Sequence, residues 1–294
     1  MSPASSAILP AGEGFGERRP PWPVGALVGF CHDDAGGALR RLIAPLVRKI
    51  AMRACRLPMD LTVGGLNLRC SFVDNYSEKK FVFTPWRYDL EERRLLAREL
   101  PPGGVFVDIG ANVGLYTLTA GRALGPGGRV LAFEPNPRTM VRLAFNVAAN
   151  FDGRAGAPQI ELLDLGVADR EGEFELNLDE SNLGASSIAS RDRSRVPAGE
   201  RSVVKIRCRP LLDVLAERGV TAIDVLKIDI EGAEDVALAP YLESAPDGLL
   251  ARSVVIENSQ ALWGRDLDAL FGQRGYRLRF RNRMNSVYSL NSGS

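Results

Sequence analysis

The sequence predicts a doubly wound α/β fold: a mostly parallel sheet, helices on both faces, and an antiparallel edge at the C-terminus. Three observations predict it. From residue 105 onward, short apolar runs alternate with helical stretches, the pattern of successive strand–helix–strand units. Residues 223–228, "IDVLKI", are apolar enough for a strand covered on both faces at the centre of a parallel sheet. "YRLRF" (276–280) and "SVYSL" (286–290) alternate polar with apolar residues and close the chain as an antiparallel pair.

Taken in order, residues 1–37 are rich in Pro, Gly, Ser and Ala and predict a loosely packed or disordered leader. Residues 38–84 predict an extension made of one helix and one hairpin. In the helix, Leu39, Leu42, Ile43, Leu46, Val47, Ile50 and Ala54 follow helical spacing. Arg40, Arg41, Arg48, Lys49, Arg53 and Arg56 are interleaved without an acid, and Pro45 limits or bends the helix. Such a basic amphipathic segment either packs on the domain or touches a membrane surface or another anionic partner. "LTVGGLNLRCSFV" (61–73) alternates around Gly64-Gly65, a hairpin signal.

The remaining residues, 85–294, predict one domain. Residues 89–100 read as a helix stopped by Pro101-Pro102-Gly103-Gly104. Strands follow at 105–109, 130–133 and 160–163, with helices at 113–124 and 137–150. The second of these helices starts with Asn136 as N-cap and Pro137 at its first position. Its expected buried stripe is Met140, Val141, Ala144, Val147 and Ala148. Residues 174–178 and 203–207 read as strands around a long Ser- and Arg-rich loop. A helix at 211–218 and a strand ending "SVVIEN" complete the order.

Composition narrows the function. Hydrophobic residues at 45% and charged residues at 25% suit a soluble globular chain. A net charge of +1 gives no global attraction to nucleic acid. A single histidine, His32, removes histidine triads and multi-histidine metal sites, and no metal is expected. Four scattered cysteines without a C-x-x-C pair fit a reducing compartment. No apolar run approaches the ~20 residues of a bilayer span, so the expected location is cytoplasmic.

The chemistry concentrates at the strand ends, where open α/β sheets bind ligands. "VFVDIGANVGLYTL" (105–118) places Asp108 at the end of the first strand, followed by Gly110, Asn112 and Gly114. A dinucleotide fingerprint keeps this loop neutral for pyrophosphate. An acid there suits a cationic ligand instead, and S-adenosylmethionine carries an ammonium and a sulfonium and no phosphate. Glu134, at the end of the next strand, is placed to accept both hydroxyl protons of a ribose diol. Asp164, after the third strand, or a nearby backbone amide, is expected near the adenine.

The fourth strand runs into "KIDIEGAED". Lys227 and Asp229 share one face, and Glu231 and Glu234 follow at the turn. A carboxylate can take the proton of an attacking hydroxyl, and a lysine can orient it or lower its pKa. A structural ion pair of Lys227 with Asp229 or Glu231 is the plainer reading. Glu257 faces the same rim. "NLGASS" (182–187) is placed to reach a substrate. The stretch 190–209 holds seven basic residues (Arg191, Arg193, Arg195, Arg201, Lys205, Arg207 and Arg209) against two acids. It reads as a solvated loop or as a site for an anionic acceptor.

In this order, "FVDIGANVGLYT", "AFEPNP", "NLGASS", "LLDVL", "VLKIDIEGAE" and "VVIE" resemble the FkbM family of methyltransferases over about residues 85–290. The resemblance implies a Rossmann-like, seven-stranded class I fold and an S-adenosylmethionine-dependent O-methyltransferase. Its acceptor would be a hydroxyl of a sugar, glycan, glycolipid or secondary metabolite. It implies cofactor binding by Asp108, Gly110, Asn112, Gly114, Glu134 and Asn136, and an acidic active-site block of Lys227, Asp229 and Glu231. Three rivals remain: a nucleic-acid methyltransferase, a nicotinamide-dependent oxidoreductase of similar fold, and a non-catalytic binding module. The absent D/N-P-P-Y motif opposes the first, the acid in the glycine loop the second, and the intact acidic block the third.

Overall fold

The computed structural model describes residues 13–32, 37–179, 182–183, 187–188 and 201–291. Two helices come first, α1 (Trp22–Cys31) and α2 (Ala38–Ala54), then the hairpin β1 (Met59–Val63) and β2 (Leu66–Cys70). Helices α3 (Tyr76–Phe83) and α4 (Leu90–Glu99) lead into β3 (Val105–Ile109), α5 (Leu115–Leu124), β4 (Arg129–Phe133), α6 (Pro137–Phe151) and β5 (Gln159–Leu163). Four strands then lie outside the main sheet: β6 (Gly166–Val167), β7 (Gly172–Asp179), β8 (Ser187–Ile188) and β9 (Arg201–Arg209). The chain ends with α7 (Leu211–Glu217), β10 (Val225–Ile228), α8 (Glu234–Ser244), β11 (Ser253–Glu257), α9 (Leu267–Gln273), β12 (Tyr276–Arg281) and β13 (Asn285–Leu290).

The main sheet has seven strands in the order β12-β13-β11-β10-β3-β4-β5. Strands β5, β4, β3, β10 and β11 run parallel, and β13 and β12 form the antiparallel edge. This is the doubly wound fold the sequence predicts. Its switch point lies at β3, which pairs with β4 on one side and β10 on the other, and ligand crevices open there. Apolar cores fill both faces. Phe106, Val130, Val225 and Val255 point to one, and Val107, Leu131, Leu226 and Val254 to the other. No described helix is long and apolar enough to cross a membrane.

Three expectations change. The described part of the leader, residues 13–32, is packed. α1 buries Val24, Val28 and Cys31, and the Arg18 carbonyl accepts the Asp60 N–H at 2.9 Å. Its sequence, WPVGALVGFC, is apolar all round and carries no helical period to detect. α2 runs continuously through Pro45, but it buries Ala44, Val47 and Ala51. The Leu39, Leu42, Leu46 and Ile50 side chains that define its apparent stripe are exposed.

The buried face of α6 differs most. Val141, Ala144 and Ala148 are exposed, whereas Arg142, Asn146 and Asn150 are buried beside Leu143 and Val147. This helix lies under the hairpin, whose β2 backbone needs partners. Asn146 Oδ1 accepts the Arg69 N–H at 2.8 Å, and Asn150 Oδ1 accepts the Asn67 N–H at 2.9 Å. Arg142 Nη2 lies 2.6 Å from Glu78 Oε1, and its Nη1 lies 3.1 Å from Asp74 Oδ1. The extension at 38–84 is therefore joined to the domain through hydrogen bonds and ion pairs between largely buried polar groups.

Candidate active site

The turn from β3 to α5 is shaped by backbone approach. Gly110 has φ +78, and a Cβ there would lie 2.0 Å from the Asp229 carbonyl oxygen. The glycine thus lets the exits of β3 and β10 touch, and the Asp229 N–H donates to the Ile109 carbonyl at 3.1 Å. Gly114 serves packing: its missing Cβ leaves room for Leu143, 2.6 Å away. Asn112, at φ 52, occupies the left-handed region that asparagine tolerates.

Glu134 is tied to this turn. Its Oε2 accepts the Asn112 N–H at 2.8 Å, and its Oε1 accepts the Asn136 N–H at 2.9 Å. Burial raises its pKa to about 7, against the lowering effect of those two N–H groups. Asn136 itself caps α6, accepting the Arg138 N–H at 3.1 Å, so its side chain supports the site without lining it.

Two cavities adjoin here and share Gly110, Asn112, Asp229 and Glu231. The first is lined by Glu134 and by Ile109, Phe133, Leu165, Val167, Leu176 and Ile206. Leu176 and Ile206 come from β7 and β9, so the smaller sheet closes an apolar slot above a carboxylate. The second is polar and is lined by Tyr76, Lys80, Tyr88, Asp89, Tyr116, Asn182, Lys227, Glu257 and Asn285.

Asp108 does not face either cavity. It pairs across the strands with Lys227, and its Oδ1 lies 3.8 Å from Lys227 Nζ. Its Oδ2 accepts the Thr117 hydroxyl at 2.6 Å. The cation that this acid meets within the chain is therefore the lysine. The strand register explains the difference. Asp108 lies opposite Ala132, so Glu134 stands two positions further along, beyond the pleat and level with Gly110.

Lys227 also donates to the Gly110 carbonyl at 3.1 Å, lies 3.4 Å from Asp229 Oδ2, and sits 5.1 Å from the Tyr116 ring centroid. Burial alone would lower its pKa, but Asp229, Asp108 and Asp89 outweigh it and hold the lysine charged.

Beyond β10, Glu234 accepts the N–H groups of Ile230 and Gly232 at 2.9 and 3.2 Å and the Trp263 indole N–H at 2.8 Å. It fixes the turn that presents Glu231, whose φ is 55. One oxygen from each of Asp229, Glu231 and Glu257 lies within 4.8 Å of the others, close enough to share one proton or one divalent cation. Burial, then Asp229, Glu231 and Glu234, push the Glu257 carboxyl up to about 10, so it carries a proton at neutral pH.

Asp164 is placed elsewhere. Its side chain is 79% exposed and 3.9 Å from Arg207 Nη2, while its neighbour Leu165 turns into the apolar slot. In the basic stretch, Lys205 of β9 pairs with Glu173 of β7, and Arg209 pairs with Glu217 of α7. Arg191, Arg193 and Arg195 lie outside the described residues. Of "NLGASS", Asn182 and Leu183 reach the cavities, and residues 184–186 lie outside the described residues. Sequence reasoning missed Asp89 and Tyr116. The only signal for Asp89 was its place at the start of a helix, where an aspartate usually serves as a cap.

A doubly wound sheet with a carboxylate and an apolar slot at its switch point has the form of a ligand-binding α/β domain. The Methyltransferase FkbM domain matches residues 108–278, and the chain belongs to that family of methyltransferases. It is 31% identical over 221 residues to Methyltransferase sdnD of Sordaria araneosa, covering 67% of this chain and 80% of that one. It is 35% identical over 208 residues to the 31-O-demethyl-FK506 methyltransferase FkbM of Streptomyces tacrolimicus, covering 63% and 74%. Among solved structures, the methyltransferase FkbM of Methylobacillus flagellatus KT aligns at 18% identity and a TM-score of 0.35, covering 74% and 55%.

Proposed function

We propose that this methyltransferase is an S-adenosylmethionine-dependent O-methyltransferase. Its acceptor is a hydroxyl of a sugar, glycan, glycolipid or secondary metabolite. The observation that carries the reading is the adjoining pair of cavities, one apolar with a carboxylate at its floor, the other polar and acidic.

The residues present fit the donor. Glu134, its lone pairs aimed by two backbone N–H groups, suits a ribose diol. The slot between Phe133, Leu165, Val167 and Ile206 suits a flat base. Asp229 and Glu231, where the cavities meet, suit the positive groups of the donor. The bound donor supplies an electrophilic methyl carbon. The chain's own residues orient the acceptor in the second cavity, and positioning accounts for much of the acceleration expected. The name of the Streptomyces relative refers to transfer onto an oxygen, which supports hydroxyl chemistry. The test uses S-[methyl-³H]adenosylmethionine with a panel of methyl glycosides, glycolipids and hydroxylated polyketides, and with amine and thiol controls. Label in the hydroxyl set supports the reading, and label confined to amines or thiols contradicts it.

A second reading concerns location. We infer that α1 and α2 rest on an anionic membrane surface. Trp22 is 83% exposed and Leu42 76%, and Leu39 and Leu46 are also exposed. Arg41, Lys49, Arg53 and Arg56 are exposed on and just after α2. Exposed apolar side chains beside basic ones are the composition of an interfacial helix. Flotation with phosphatidylglycerol vesicles, lost with phosphatidylcholine or with Leu42→Ser/Leu46→Ser, is expected. Equal recovery with both lipids, or none with either, contradicts it.

A further inference from the structure

Asp89 opens α4, yet it does not behave as a helix cap. An aspartate at this position normally has extended backbone angles and accepts an N–H from the first turn. Here φ is 41 and ψ is 46, and the side chain makes no capping hydrogen bond. The left-handed region is uncommon for a non-glycine residue, though aspartate and asparagine tolerate it, and such residues collect at functional sites. The carboxylate turns instead into the polar cavity, where Oδ2 accepts the Tyr116 hydroxyl at 3.1 Å. Tyr116 in turn lies beneath the Lys227 ammonium. Asp89, Tyr116 and Lys227 thus form one connected stretch of the polar cavity's wall, and none of the three lines the apolar slot.

We propose that Asp89 is a catalytic residue, the base that receives the acceptor's hydroxyl proton during methyl transfer. This rests on the O-methyltransferase reading. The acceptor oxygen forms its bond to the methyl carbon of a sulfonium donor as the carbon–sulfur bond breaks. The bonding pair stays on sulfur, which leaves as a neutral thioether. The hydroxyl proton passes to the Asp89 carboxylate and from there to solvent.

The neighbouring carboxylates are less suited. Asp229 is the near countercharge of Lys227, at 3.4 Å. Glu257 is already protonated at neutral pH. Glu231 lines the apolar slot as well as the polar cavity, whereas Asp89 lines the polar cavity and not the slot. The groups that bear on Asp89 are Glu92 of its own helix, Tyr116 of α5, Asp229 and Lys227 at the end of β10, and Tyr88 beside it. Lys80 of α3 lines the same cavity. Burial first, then Glu92 and Asp229, raise its pKa to about 6, against Tyr116 and Lys227. It is therefore ionised at pH 7 and more basic than an ordinary aspartate.

The test compares the parent with Asp89→Asn, which tolerates the same backbone and still accepts from Tyr116. Calorimetry with S-adenosylmethionine should give dissociation constants within about threefold of each other, because Asp89 lies outside the nucleoside slot. Infrared difference spectra need no acceptor. The parent should show two carboxylic acid bands in this range, one titrating near pH 6 from Asp89 and one near 7 from Glu134, and Asp89→Asn should lack only the first. With the labelled donor held at saturation, which removes the Glu134 dependence of donor binding, the parent's kcat/KM for the hydroxyl acceptor should rise with pH and level off above about pH 6. Asp89→Asn should be roughly 10²- to 10⁴-fold slower with a flat profile, and Asp89→Glu should recover part of the rate. The proposal is overturned if the first infrared band persists in Asp89→Asn, if the parent pH profile is retained, or if donor binding falls more than tenfold. A parent that binds no donor refutes the O-methyltransferase reading itself and this proposal with it. Donor binding with the first infrared band unchanged in Asp89→Asn refutes Asp89 alone.

Discussion

Asp108 and Lys227 face each other across β3 and β10, 3.8 Å apart, with side chains 0% and 7% exposed. An acid in a glycine-rich turn suggests a cationic ligand, and here the protein supplies the cation itself. The pair joins the two central strands at the point where both end in site loops. Removing one member of a buried pair leaves the other charge uncompensated, at a cost of about 3–5 kcal/mol. Lys227→Met should therefore lower the urea midpoint substantially. The double variant Asp108→Asn/Lys227→Met should recover part of the loss, and additive losses would show that the two do not interact.

Gly110 is fixed by the Asp229 carbonyl, 2.0 Å from where a Cβ would stand, and by its positive φ. Gly110→Ala forces the exits of β3 and β10 apart. We expect a loss of about 3 kcal/mol in denaturant unfolding, together with loss of donor binding. A variant of parental stability would show that the two exits are not in contact in solution.

Donor affinity should depend on the charge of Glu134. Its carboxyl titrates at about 7 in the free protein, and a diol is best held by the ionised form. Affinity should therefore be constant above about pH 7 and fall by up to tenfold per unit below it. Glu134→Gln should remove this dependence. Calorimetry from pH 5.5 to 8.5 measures both, and a pH-independent parent affinity would contradict it.

Glu257 makes a prediction about stability. Its pKa is raised from 4.5 to about 10 in the folded state, so the folded protein holds this proton more tightly than the unfolded chain. The stabilisation is complete below about 4.5 and is lost as pH rises towards 10. Glu257→Gln, which keeps a neutral side chain of similar shape, should be more stable than the parent at pH 9 and nearly equal at pH 4.5. Thermal melts at the two values check this. The same difference at both would place the effect elsewhere.

The central sheet was legible because strands buried on both faces read as continuous apolar runs, and "VLKI" and "SVVIE" are such runs. The hairpin and the Asn136 cap were legible because their turn chemistry is local. The buried face of α6 was not. Periodicity arguments assume an apolar core, whereas Arg142, Asn146 and Asn150 are buried against a polar partner. Within the site, Glu134, Asp229, Glu231 and Glu257 were legible as strand-end acids. Asp108 and Asp164 look the same in sequence, and only register and side-chain direction separate them from the site. Asp89 was hidden because its departure from capping geometry is visible only in three dimensions.

The most direct test of this account is calorimetric titration of the folded protein with S-adenosylmethionine at pH 8, alongside Glu134→Ala. The expected result is one site per chain with a micromolar dissociation constant, on the order of −8 kcal/mol, weakened at least tenfold in a Glu134→Ala variant that keeps its fold. Folded protein that releases no heat, or a Glu134→Ala variant that binds as tightly as the parent, would contradict it.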